Sequence, residues 1–215
     1  MPLCRERTPG SESCENCRVS KRRSGKQDEV TSKGGALTHV LVVGGTTHQW
    51  MAMSDSAWAL RRDELAKAAT HAGARWLTIR PYEGDVVGNG VADQTAGPTA
   101  ERRVFESDGG CAVIIDPCAD GRSRFLAAVN QLRVRAVSTV DEVALAAALM
   151  APAPTEPDLT VILGPPTQLP TSLVWELSYT ELVFVDTSWE ELSGSQLEEA
   201  LREYAHRHRR FGGIA

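Results

Sequence analysis

The groups in this chain best suited to chemistry lie near its C-terminal end, where Arg210 is followed by Phe211, Gly212 and Gly213. A guanidinium presents a fork of charged donors to a phosphate, and glycine lets backbone amides approach an anion closely. Arg207 and Arg209 stand just before it, where positive charge suits the end of a helix dipole. They read as helix-end charges, whereas Arg210 with its glycines reads as an anion contact. A second glycine-bearing turn, Gly44 to Gln49, follows the apolar run Val40 to Val43. It carries neither G-x-G-x-x-G nor G-x-x-x-x-G-K-[ST], so the signal for a nucleotide is weak. Cys14 and Cys17 form a C-x-x-C, with Cys4 ten residues earlier. A zinc site needs four ligands, usually two such pairs, and with one pair these thiols read as incidental.

The elements that would position these groups alternate along the chain. Short apolar runs predict strands at His39–Val43, Arg75–Arg80, Cys111–Asp116, Leu159–Leu163 and Leu182–Val185, suited to a sheet covered on both faces. Helices are expected at Asp55–Ala72, Arg122–Leu132, Asp141–Met150 and Ser195–His208. The fold class is α/β, a mainly parallel sheet flanked by helices. Ser193 and Gln196 make a capping box, with Leu192 and Leu197 as its hydrophobic staple, and Leu197, Leu201 and Tyr204 form the stripe that fixes the last helix on the body. Residues 81–110 are glycine-rich without 3.6-residue periodicity and read as a long loop.

The stretch from Pro157 to Gly212 resembles the end of a cis-prenyltransferase, the family typified by undecaprenyl and dehydrodolichyl diphosphate synthases. That family closes with W-x-x-x-Y-x-E-L, an aromatic strand, a helix and R-F-G, found here as Trp175, Tyr179, Glu181 and Leu182, then Val183 to Asp186, then Arg210, Phe211 and Gly212. Its opening H-x-x-x-x-M-D-G-N-G-R-W is matched by His39 and Trp50. The resemblance covers Leu37 to Ala215 with one poorly matched stretch, and implies the undecaprenyl diphosphate synthase-like fold.

The polar residues of the family's chemistry are replaced. Gly45 stands at the essential aspartate, Gln49 at a phosphate-holding arginine, and Ile162, Gly164, Gln168 and Pro170 at the two arginines and two serines of the second diphosphate site. The reaction ionises an allylic diphosphate, so losing even one group that stabilises the departing charge costs roughly 3–4 kcal/mol in the transition state. Were the register displaced by a residue or two, Asp55, Glu83 and Asp85 would be the nearest acids. The tunnel helices of active members also have no counterpart in the 81–110 segment.

Kept frame and lost site resemble the Nogo-B receptor type of subunit, which shares P-D-L-x-x-x-x-G-P, here Pro157, Asp158, Leu159, Gly164 and Pro165. The resemblance implies a catalytically silent accessory subunit of a heterodimeric cis-prenyltransferase making long-chain polyprenyl diphosphate from isopentenyl and allylic diphosphates. Its tail, Arg210, Phe211 and Gly212, would bind isopentenyl diphosphate in trans. Catalytic residues and metal ligands would be absent from this chain, with Mg²⁺ held by the catalytic partner. Hydrophobic surface around Trp175 to Trp189 would meet that partner. The alternatives are a divergent homodimeric synthase active alone, and a protein-binding scaffold with no isoprenoid role.

Composition fits one domain, 37–215, after an arm, 1–36, too polar to repay ordering. The 215 residues are 42% hydrophobic with net charge -5. The arm holds 8 Lys/Arg against 5 Asp/Glu and the remainder 15 against 23, an acidic body that argues against general nucleic-acid binding. Lys21, Arg22 and Arg23 read as a solvated charge run. With no apolar run near the ~20 residues of a membrane span and no signal-peptide pattern, the expected compartment is the cytoplasm, with peripheral membrane association through the complex.

Overall fold

The computed structural model describes residues 36–83, 102–106, 110–137, 139–178 and 180–207. All of them belong to the compact unit Gly34–Ala215. The expected arm, its cysteines and Lys21 to Arg23, and the tail Arg210, Phe211 and Gly212 lie outside the described residues, as do Tyr179, Asp85 and Arg209.

Strands β1 (His39–Val43), β2 (Trp76–Arg80), β3 (Arg103–Phe105), β4 (Ala112–Ile115), β5 (Leu159–Leu163) and β6 (Glu181–Val185) form one sheet in the order β3-β4-β2-β1-β5-β6. Every pairing is parallel except β3 with β4. The expected strands hold within a residue at each end. The 81–110 segment does not stay a loop throughout, because Arg103–Phe105 pairs antiparallel with β4. Three residues at a sheet edge are too few for a periodic signal; their strand character comes from backbone partners on β4.

The helices are α1 (Thr47–Ala52), α2 (Asp55–His71), α3 (Gly121–Val134), α4 (Glu142–Met150) and α5 (Gly194–His206). The stretch expected as a bare loop after β1 turns into α1. Thr46 caps it, and a capping box with Gln49 closes its first turn. The expected box at α5 is present, Ser193 with Gln196. Leu192, Leu197, Leu201 and Tyr204 are buried in one cluster. The helix ends at His206 rather than reaching His208. Arg207 is its extended C-cap, donating to the Leu182 carbonyl at 2.6 Å and pairing with Glu203. Its expected role as a helix-end charge therefore holds.

Alternation along the strands divides the core. Val40, Val42, Leu77, Ile79, Val161 and Val183 face α2 and α5, where Ala66, Ala68 and Ala69 of α2 let that helix sit close. Each fully buried valine, leucine or isoleucine there contributes roughly 1.5–3 kcal/mol. The other face carries Leu41, Val43 and Ile162, with a separate cluster where Ala128 and Leu132 of α3 meet Leu145 and Leu149 of α4. Asp158 ties β1 to β5 from below, accepting from Thr38 N at 2.7 Å, Thr38 Oγ1 at 2.8 Å and His39 N at 3.1 Å. The chain leaves β1 toward β2 and β4, then returns to place β5 on the other side of β1. The carboxyl ends of β1 and β5 thus flank the switch point where open α/β sheets bind ligands.

Candidate functional site

Both sequence positions expected to hold diphosphate in the family come together at that switch point. Gly44 and Gly45 follow β1, Ile162 and Gly164 end β5, and Val43 pairs with Ile162 across the two strands. Ile162 is fully buried, Pro170 is buried, and Gln168 is exposed, its carbonyl accepting from the Tyr82 hydroxyl at 3.0 Å.

Gly45 has φ of +73°, and a Cβ on it would lie 2.7 Å from Cγ of Trp189. Backbone conformation and space both require glycine here. The Trp189 ring is 2% exposed and stacks on Trp50 with centroids 5.5 Å apart, while Trp58 meets Trp50 edge-on at 4.9 Å. Arg61 lies over the Trp189 ring, 5.1 Å from its centroid. The part of 175–189 that ends in Trp189 is therefore turned into the chain's own core, contrary to its expected place on a subunit interface. Its indole has packing partners in α1 and α2, whereas Leu177 of the same stretch and Val174 just before it are 38% and 44% exposed.

Polar groups of the loop are bonded within the loop and to the segments beside it. Gly44 N donates to the Arg80 carbonyl at 3.0 Å, Thr46 N to Gln49 Oε1 at 2.7 Å, Thr47 N to the Glu83 carbonyl at 3.3 Å and Gln49 N to Thr46 Oγ1 at 3.1 Å. Gln49 Nε2 donates to Glu190 at 2.6 Å. The amides of Gly44, Thr46, Thr47 and Gln49 are thus already paired. Gly45 supplies no oxygen-bearing side chain, and an indole fills the space above it, so these residues do not fit a Mg²⁺ site. Asp55 opens α2, exposed, and Glu83 reaches the loop through its backbone.

Next to this edge, a charged network that the sequence did not announce occupies the α3 side of the sheet. Arg80, at the end of β2, donates from Nη1 to Glu176 Oε1 at 2.7 Å and lies 3.4 Å from Asp116, just past β4. Arg124 of α3 donates from Nη2 to the same Glu176 oxygen at 2.9 Å, and Arg102 reaches Asp116 at 3.0 Å. Arg80, Asp116, Arg124 and Glu176 are all buried. Burial would raise the carboxyls, but Arg80 with Arg102 holds Asp116, and Arg80 with Arg124 holds Glu176, below the ordinary range. Desolvation, with Arg80 beside it, lowers Arg124 to about 10. Each partner lies far off in sequence, so only β2's inward parity, which aims Arg80 the same way as Thr78, hinted at the network.

Below it, His39 is buried, and desolvation lowers its pKa to about 4. Nδ1 lies 2.7 Å from the Thr155 carbonyl, which can only accept, so the neutral ring carries its proton there and Nε2 accepts from Thr78 Oγ1 at 2.8 Å. The cavity bordered by His39, Thr78, Arg80 and Leu149 has about 10 Å³, room for roughly one water and far too little for a prenyl chain.

Comparison with known proteins decides the lineage. The profile of the family described as "Putative undecaprenyl diphosphate synthase" matches residues 100–212, just over half of the chain. The chain belongs to the cis-prenyltransferase family. It is 38% identical over 92 residues to an isoprenyl transferase of Neisseria meningitidis, covering 43% of this chain and 37% of that protein. It is 36% identical over 116 residues to one from Chromobacterium violaceum, covering 53% and 45%. A ditrans,polycis-undecaprenyl-diphosphate synthase of Xanthomonas campestris is 41% identical over 73 residues, covering 34% and 28%. The matched part spans less than half the length of these curated cis-prenyltransferases. Among solved structures, lavandulyl diphosphate synthase from Lavandula x intermedia aligns with a TM-score of 0.57 at 16% identity, covering 83% of this chain and 99% of that one. A probable undecaprenyl diphosphate synthase from Campylobacter jejuni aligns at 0.54 and 15%, covering 83% and 100%. The expected cis-prenyltransferase fold is thus the fold of this chain. Among the described residues, no helix is long and apolar enough to cross a membrane.

Proposed function

We propose that this chain is a catalytically silent subunit of a heterodimeric cis-prenyltransferase, similar to the Nogo-B receptor type. In this reading a catalytic partner supplies the aspartate, the arginines, the Mg²⁺ and the product tunnel, and the complex extends an allylic diphosphate with isopentenyl diphosphate into a long polyprenyl diphosphate. The observation that carries the reading is Gly45. At the family's aspartate position the backbone is left-handed and Trp189 fills the side-chain space, so the ancestral group is excluded rather than merely missing. The paired loop amides and the ion network support the same conclusion.

The remaining role is in trans. Arg210, Phe211 and Gly212 keep the family's R-x-G ending, and they would hold isopentenyl diphosphate at the partner's site. Val174 and Leu177 belong to the surface that would meet the partner, whereas Trp189 does not. The complex would work in the cytoplasm, peripheral to the membrane that receives its product.

The test is Arg210→Ala in the reconstituted heterodimer. The complex should assemble while catalytic efficiency falls about 30- to 1000-fold, the roughly 2–4 kcal/mol of one charge-assisted phosphate contact. Lysine should restore part of it, since it lacks the planar fork. Arg207→Ala should change little. Unaltered kinetics from the Arg210→Ala complex would refute the role in trans.

A further inference from the structure

Arg80, Arg124 and Ser172 come from β2, α3 and the β5–β6 connection and meet inside the fold. The two guanidinium groups share Oε1 of Glu176, and Arg124 Nη2 also donates to the Ser172 carbonyl at 2.7 Å. Arg80 is 2% exposed, Arg124 5% and Ser172 0%. Even so, Nε of Arg80, Nε and Nη1 of Arg124 and Oγ of Ser172 meet no acceptor among the described residues.

Four buried donors without acceptors are an unusual concentration, since buried polar groups are nearly always paired. Charge is unbalanced as well. Among the described residues, Arg80, Arg102 and Arg124 pair with the two carboxylates of Asp116 and Glu176, one negative charge fewer than the positive, while neighbouring His39 is neutral. The nearby carboxylates do not remove the deficit: Glu176 accepts from Arg80 Nη1 and Arg124 Nη2, Asp116 from Arg102 and Cys118 N, and neither reaches the four atoms.

A water molecule fits this inventory poorly. It accepts about two hydrogen bonds, fewer than the donors left over here, and brings no charge. An acceptor-only monovalent anion meets every requirement, taking N–H and O–H donors from several sides and cancelling the excess charge. Burial of all three residues limits its size.

We propose that one halide-sized monovalent anion, chloride in the cell, binds between Arg80, Arg124 and Ser172 and completes the charge balance of the interior. It would be a structural ion, independent of the role proposed for the C-terminal tail.

Thermal unfolding of the full chain at fixed ionic strength, in mixtures of sodium chloride and sodium gluconate, tests this directly. The midpoint should rise saturably with chloride. In Arg124→Gln, which removes the excess charge, it should no longer depend on chloride. Should that variant fail to fold, Ser172→Ala keeps the charge but removes a donor and should shift half-saturation to higher chloride. Crystals grown in sodium bromide should give an anomalous peak within hydrogen-bonding distance of Arg124 and Ser172. A midpoint indifferent to chloride, an unshifted half-saturation in Ser172→Ala, or bromide found only on the surface would overturn the proposal.

Discussion

Gly45 is where sequence and geometry constrain each other most tightly. On the register proposed from the sequence, replacing it with aspartate would restore the family's residue type, yet the new side chain would enter the Trp189 ring from a backbone with φ of +73°. Gly45→Asp is therefore expected to lose roughly 2–4 kcal/mol of stability and to gain no prenyl transfer. Denaturant melts of both proteins, with an isopentenyl diphosphate incorporation assay, check it. An active variant as stable as the parent would show that the loop opens easily. His39 makes a second residue-scale prediction. Its folded pKa of about 4 lies below its ordinary 6.5, so the unfolded chain binds the proton first as pH falls. The resulting stability is complete above pH 6.5 and drains away toward pH 4, by up to about 3 kcal/mol. Asp116 and Glu176, whose carboxyls are held low, would add their loss at still lower pH. Urea titrations between pH 7.5 and 4.5 should show this slope, and His39→Gln should flatten it.

At the scale of elements, the ion network acts as a clamp between β2, β4, α3 and the β5–β6 connection. Glu176→Gln would leave Arg80 and Arg124 without their shared carboxylate, and breaking one side of a buried pair costs about 3–5 kcal/mol. Guanidinium chloride melts should show that loss, whereas Glu198→Gln, on an exposed pair with His71, should change stability by less than about 1 kcal/mol. Beyond the inward parity of Arg80 on β2, this network was not legible beforehand, because its members are joined only by folding. The main strands and four helices were legible, since runs such as Val40 to Val43 and the stripe of Leu197, Leu201 and Tyr204 carry their own periodicity. The capping box at Ser193 was readable for the same local reason. Its counterpart at Thr46 and Gln49 was hidden by the resemblance, which cast those positions as a phosphate loop and drew attention from a six-residue helix. Trp189 was misplaced on an outer surface because a strand-flanking tryptophan looks alike whether its partner is another subunit or, as here, Trp50 and Trp58.

For the whole molecule, on the proposed function, the family's frame and its chemistry have separated. The fold is that of a cis-prenyltransferase, while the space above β1 is taken by an indole and the α3 face by buried charges. On the proposed function the chain is inert alone and completes another site through its tail. The most direct measurement is incorporation of radiolabelled isopentenyl diphosphate by this chain alone, by a catalytic subunit from the same cell alone, and by the two co-expressed. No incorporation by this chain and a large gain on co-expression is the predicted result. Elongation by this chain in the absence of any other synthase, or no gain over the catalytic subunit alone, would contradict it.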